Sequence, residues 1–124
     1  MNLPSSPALI PTVGTVRGPL AIFGRAHPEI TRLVLFGSLA RGEAHANSDV
    51  DVVASFAPDS TPRGMANFAY MDDLEQALAT QLGRRVDLIK QEALESATKR
   101  GNHSLPRAVR RDGIVIYELE PAAA

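Results

Sequence analysis

The sequence predicts one α/β (α+β) domain, a small mixed β-sheet covered by helices. Three observations predict it. Short apolar runs at residues 33–36, 49–56 and 85–89 have the length of strands. Residues 64–82 repeat their apolar side chains at helical spacing. The two kinds of segment alternate, which implies a sheet with helices packed on it. The chain has 124 residues, within the roughly 100–200 of one domain, enough to bury about two-thirds of its unfolded surface.

Residues 1–14 hold Pro4, Pro7, Pro11 and Gly14 with Ser5 and Ser6, and are expected to form a flexible leader. The domain proper is expected over 15–118, and 119–124 as a disordered, alanine-rich tail. Thr15 is positioned to cap a helix through about residue 26, with Val16, Leu20 and Phe23 on one face and Pro19 in about its first turn. Residues 33–36 form a strand buried on both faces, ending at Gly37, and 38–44 a short helix starting at Ser38. Asn47 and Ser48 make a turn into the strand 49–56, and 58–62 a loop. In 64–82, Phe68, Met71, Leu74, Leu78 and Leu82 define one core-facing stripe, and Gly83 stops the helix. A strand at 85–89, a helix from 92 to about 100, helical turns in 103–111 and a last strand at 114–117 complete the order.

The absence of cysteine excludes a disulfide framework, thiolate zinc sites and thiol catalysis. Thirteen basic and fourteen acidic residues leave a charge of −1, so global charge does not indicate nucleic-acid binding. No apolar run approaches the roughly 20 residues that span a bilayer, and no signal peptide is visible. A cytoplasmic protein without membrane contact is expected.

The chemistry is concentrated in residues 37–51. Side chains two apart on a strand share a face, so Asp49 and Asp51 project together. Their repulsion is relieved by a dication between them, and magnesium suits that role because it takes carboxylate and phosphate oxygens. The plainer alternative is an exposed strand start at which an Asp caps a turn. Asp87 lies among apolar residues of a later strand. If that strand pairs beside the second, Asp87 joins the other two, either as a further metal ligand or as general base. Otherwise it is a surface partner of Arg84 or Arg85. Gly37 lets the backbone turn and approach a ligand. Ser38 and the N–H groups after it suit a phosphate, and Arg41 adds positive charge for a leaving pyrophosphate. Taken alone, Gly-Ser also fits a plain turn with a serine N-cap.

On these residues the chain resembles the minimal nucleotidyltransferases of the DNA polymerase β-like superfamily. Their pattern is Gly-Ser, then Asp-x-Asp, then a third acid on a later strand. Gly37-Ser38, Asp49, Asp51 and Asp87 fill it in order, with Ala40-Arg41-Gly42 and Ser48 as flanking matches. Where many relatives carry a basic or aromatic residue after Gly-Ser, this chain has Leu39, leaving Arg41 as the nearby cation. The resemblance implies the polymerase β-like fold and nucleotidyl transfer from ATP. Asp49, Asp51 and Asp87 would be the catalytic and metal-binding residues for two magnesium ions; Gly37, Ser38 and Arg41 would bind nucleotide.

Larger relatives that adenylylate antibiotics carry a helical domain for the acceptor, and at this length none is expected here. Small members often pair as antitoxins with a HEPN-type ribonuclease toxin and adenylylate its tyrosine. The resemblance thus implies a hetero-oligomer with such a toxin, and no direct nucleic-acid binding. The alternative is a non-catalytic antitoxin that masks its partner. Residues 96–111 contain Lys99, Arg100, Arg107, Arg110 and Arg111 without an acid, which reads as a solvated face, as a docking face for an acidic partner or, more weakly, as one for nucleic acid. His27, His45 and His103 show no ligand spacing, and Tyr70 and Tyr117 are expected to pack.

Overall fold

A computed structural model describes residues 10–119. Most of the expected leader and all but the first residue of the expected tail lie outside the described residues. Helix α1 (Val13–Ala26) opens on a reciprocal cap between two threonines. The Thr15 amide donates to Thr12 Oγ1 at 3.2 Å, and the Thr12 amide donates to Thr15 Oγ1 at 2.9 Å. Two N–H groups without helical partners are thereby satisfied. Thr15 is therefore the third helical residue and not the cap, and residues 13 and 14 belong to the helix. Pro19 consequently falls in the second turn.

Strand β1 (Ile30–Phe36) leads into a single turn of helix, α2 (Gly37–Ala40). The helix expected over 38–44 ends this early because positive φ at Gly42 (75°) turns the chain away. Strand β2 (Val50–Phe56), helix α3 (Met65–Leu82) and strand β3 (Val86–Lys90) follow. Helices α4 (Gln91–Lys99) and α5 (Ser104–Asp112) and strand β4 (Ile114–Glu118) complete the chain. The strands form one sheet in the order β3-β2-β1-β4, with β1 antiparallel to β2 and β4, and β2 parallel to β3. The parallel pair needs a crossover, and α3 supplies it.

Alternation along the strands divides the sheet into two unequal faces. Leu33, Leu35, Val50, Val52 and Leu88 point toward α1 and α3 and bury against Leu20, Phe23, Leu74 and Leu78. Each fully buried side chain of this kind contributes about 1.5–3 kcal/mol. The opposite face carries a smaller cluster of Phe36, Val53 and Leu94, flanked by Val34, Ile89 and Val109, beneath α4 and α5. At the sheet edge, Glu75 of α3 accepts from the Leu88 amide at 2.9 Å, occupying a donor that an edge strand would otherwise expose.

Phe68 departs from the expected stripe: it is 70% exposed, while Leu74 and Leu78 are buried. Two successive steps of three residues rotate a helix position by about 120°, so Phe68 has swung off the face that Leu74 occupies. Tyr70 takes the inner place instead, packing edge-on against Phe56 and donating to Glu29 Oε2 at 2.7 Å. Tyr117 also packs, against Gly24. No described helix is long and apolar enough to cross a membrane.

Candidate active site

The smaller face of β2 begins with acid and ends in apolar side chains. Asp51 and Val53 share that face by the period of two, and Val53 is already committed to the Phe36–Leu94 cluster. In the parallel pairing of β2 and β3, Asp51 and Asp87 are direct partners. The same face therefore carries both carboxylates, side by side beyond the end of the apolar cluster. Asp49 sits one residue before β2, whose start is fixed by a hydrogen bond from the Val50 amide to the Arg85 carbonyl at 2.9 Å.

The turn before Asp49 is built to hold it. Ser48 is buried, its Oγ accepts from the His45 amide at 2.8 Å, and its own amide donates to the His45 carbonyl at 3.0 Å. Arg84 Nη1 donates to the Ala46 carbonyl at 2.9 Å, tying the turn to the residues before β3. Arg85 Nε lies 3.6 Å from Asp49 Oδ1, an ion pair on exposed side chains. The surface-pair alternative considered for Asp87 thus falls on Asp49 where Arg85 is concerned.

Gly37 connects the turn to the carboxylates. Its φ is +79°, a region L side chains rarely adopt, and a Cβ there would run into the Asp51 carboxylate. Asp51 therefore lies directly on the Gly37 backbone. The residue before α2, Phe36, has no side-chain capping bond, so Ser38 is not an N-cap. Among the described residues the Ser38 hydroxyl has no hydrogen-bond partner. Its hydroxyl and the adjacent backbone remain available to an anion.

Burial pushes the Asp51 carboxyl up to about 6, with the like charges of Asp87 and then Asp49 adding to it and Arg41 opposing. Asp51, raised in this way, lies on a face that offers carboxylate oxygens of the kind a hard dication takes. Among the described residues no group of three or more His, Asp or Glu side chains is drawn together as a metal site. Asp49 instead faces the Arg85 guanidinium, which occupies part of the role a cation would take.

Arg41 is engaged elsewhere. Its Nη1 donates to Asp112 Oδ2 at 2.7 Å and its Nε to Glu43 Oε2 at 3.0 Å. Asp112, its side chain only 3% exposed, is also bonded by Arg111 at 2.9 Å. The Arg111 and Arg41 guanidiniums hold its carboxyl down to about 2. Arg41 thus binds the Gly-Ser turn to the end of α5 and remains close enough to Asp51 to lower its pKa. Asp112 had no place in the sequence pattern, and Ser48 and Arg84 entered it only as a turn residue with a family match and as a possible surface partner of Asp87. The one available signal was Asp112 as the first acid after the acid-free run 96–111.

The nucleotidyltransferase domain family matches residues 20–116 of this chain. Protein adenylyltransferase MntA of Thermococcus cleftensis is 34% identical over 67 residues, covering 54% of this chain and 62% of its own length. The chain thus spans less than two-thirds of this curated relative. A solved structure of a toxin–antitoxin with AMP-PNP is 28% identical, with a TM-score of 0.61, covering 84% of this chain and 74% of that one. The fold also recurs in a tri-AMPylated Shewanella oneidensis HEPN toxin in complex with MNT antitoxin. That match is 21% identical with a TM-score of 0.53 and covers 82% of this chain and 69% of that one. By fold, by motif and by the extent of the match, this chain belongs to the nucleotidyltransferase domain family.

Proposed function

We propose that this protein transfers AMP from ATP to a tyrosine hydroxyl of a HEPN-type toxin, acting as its antitoxin. The observation that carries the reading is the juxtaposition of Asp51, Asp87 and Gly37. Two carboxylates are paired across parallel strands, and one of them rests on a glycine that no other residue could replace without displacement. The names of the adenylyltransferase relative and of the AMP-PNP-bound neighbour agree with it.

Asp49 and Asp51 would hold magnesium, with Asp87 available to a second ion. The bound ion supplies charge neutralisation between these carboxylates and the triphosphate. Gly37, the Ser38 hydroxyl and the neighbouring N–H groups position the phosphates. Asp87, exposed beside Asp51, takes the proton of the acceptor hydroxyl. That oxygen then bonds to the α-phosphorus, the bond from the α-phosphorus to its bridging oxygen breaks, and pyrophosphate leaves with the electron pair. Arg41 acts by holding the Gly-Ser turn against α5 and by adding positive potential near Asp51.

The competing reading is neutralisation by masking. Asp49→Asn with Asp51→Asn separates the two when assayed with the protein encoded by the neighbouring gene. Loss of AMP transfer and of neutralisation, with the complex intact, is expected. Full neutralisation by the double variant would mean that the chemistry is not the mechanism.

A further inference from the structure

The acid-free run 96–111 folds into one wall and one rim of a groove. Helices α4 and α5 enclose a cavity of about 450 Å³ lined by Leu94, Pro106, Val109, Thr98, Lys99 and Arg110, among others. Its floor is apolar, since Leu94 and Pro106 are buried there and Val109 is half-buried. Lys99 and Arg110 line it, and Arg100, directly after α4, and Arg107, one turn before Arg110 on α5, carry further charge on the same segment; all four are exposed, and none has an ion-pair partner among the described residues. Arg111 differs, being spent on Asp112. The one acid lining the groove is Glu95. A solvated helix face has no reason to combine an apolar trough with two lining cations that lack ion-pair partners.

We propose that this groove docks an acidic amphipathic helix of a partner protein, apolar side chains in the trough and carboxylates on the cationic rim. A helix laid in an apolar groove reads its partner through such anchors, and complementary charge sets orientation and encounter rate. Leu94 packs over Val53, and Val53 lies two residues from Asp51 on the same strand face, about 7 Å along the strand. An occupant of the groove is thereby held on the side of the sheet that carries the carboxylates. The end of α5 is bonded through Asp112 to Arg41, so the docking surface and the Gly-Ser turn are braced together. The inference rests on the reading that the acceptor is a protein, but not on the transfer chemistry.

The test uses the full chain and fluorescence anisotropy. The probe is a synthetic helix with Leu at i, i+3, i+4 and i+7 and Glu at flanking positions. A Lys counterpart and single-stranded polyadenylate serve as competitors, and magnesium-dependent ATP binding is read in the same samples. The acidic helix should bind in a salt-sensitive manner, weaken at least tenfold in R107E/R110E, and tighten in Glu95→Gln. ATP binding should be unchanged in both variants. Peptide binding without ATP binding would sink the transferase reading and leave the groove standing. Equal binding of the acidic and basic helices, or indifference to R107E/R110E, would overturn the docking assignment. So would displacement by polyadenylate, which would mark a nucleic-acid face. Self-association in sedimentation that is abolished by R107E/R110E would assign the groove to a second copy instead.

Discussion

Replacing Gly37 with alanine puts a methyl group where the Asp51 carboxylate already stands. Two costs follow, and they can be separated. At φ +79° an L residue is strained by about 1–2 kcal/mol, which for a domain of this size lowers the melting temperature by about 4–8 °C. The second cost falls on function, because either Asp51 moves off the shared face with Asp87 or the Gly-Ser turn opens. A displacement of about 1 Å in a reacting group costs roughly 100-fold in rate. Gly42 provides the control. Its φ is +75° but nothing lies within 4 Å of a Cβ built there. Gly42→Ala should therefore share the loss of stability and keep most of the activity. The assay pairs thermal unfolding with the initial rate of AMP transfer at a temperature where both variants are folded. Equal rates for the two variants would refute the argument that Gly37 serves the carboxylates and not merely the turn.

The Asp51 carboxyl is raised from 3.8 to about 6. The folded state thus binds its proton more tightly, and destabilisation grows as pH rises from about 4 to about 6 and is complete above that. For a fully buried group two units would be about 3 kcal/mol, and the half-exposed position reduces this to about 1–2 kcal/mol. Asp51→Asn should raise the melting temperature at pH 8 and not at pH 4, and a gain of the same size at both would contradict the account. Asp112 has the opposite sign. Its carboxyl is held down to about 2, so its contribution is present above about 4 and fades as pH falls toward 2. Asp112→Asn and Arg41→Ala should be strongly non-additive in a stability cycle at pH 7, and simple additivity would deny the brace between α2 and α5. Gly24→Ala should cost about 1–3 kcal/mol by overpacking, because its Cβ would come to 2.5 Å from the Tyr117 ring. Unchanged unfolding in that variant would show that the ring moves freely.

The candidate carboxylates were legible because each is part of a local pattern, although Asp49 lies before β2 and faces Arg85. The period of two puts Asp49 and Asp51 together, and Gly37 marks a strained turn at the end of an apolar run. Whether Asp87 lies near them depends on β3 pairing beside β2, a condition that no local pattern sets; the two strands run parallel with Asp51 opposite Asp87. Arg41 illustrates what no local pattern could supply. Its partner Asp112 is 71 residues away and is brought near only when α5 packs beside α2. Phe68 fails for a different reason: spacings of three and four each look helical, yet repeated threes drift around the cylinder. The first turn of α1 was missed because either threonine can cap, and the choice is made by their reciprocal bonds.

The measurement closest to the central claim compares ATP labelled at the α-phosphate with ATP labelled at the γ-phosphate, using the protein encoded by the neighbouring gene as acceptor. Label on the acceptor from the α position only, dependent on magnesium and absent in Asp49→Asn with Asp51→Asn, is the predicted result. Label from the γ position would make the protein a kinase. No label from either, in the presence of a stable complex, would contradict the transfer account altogether.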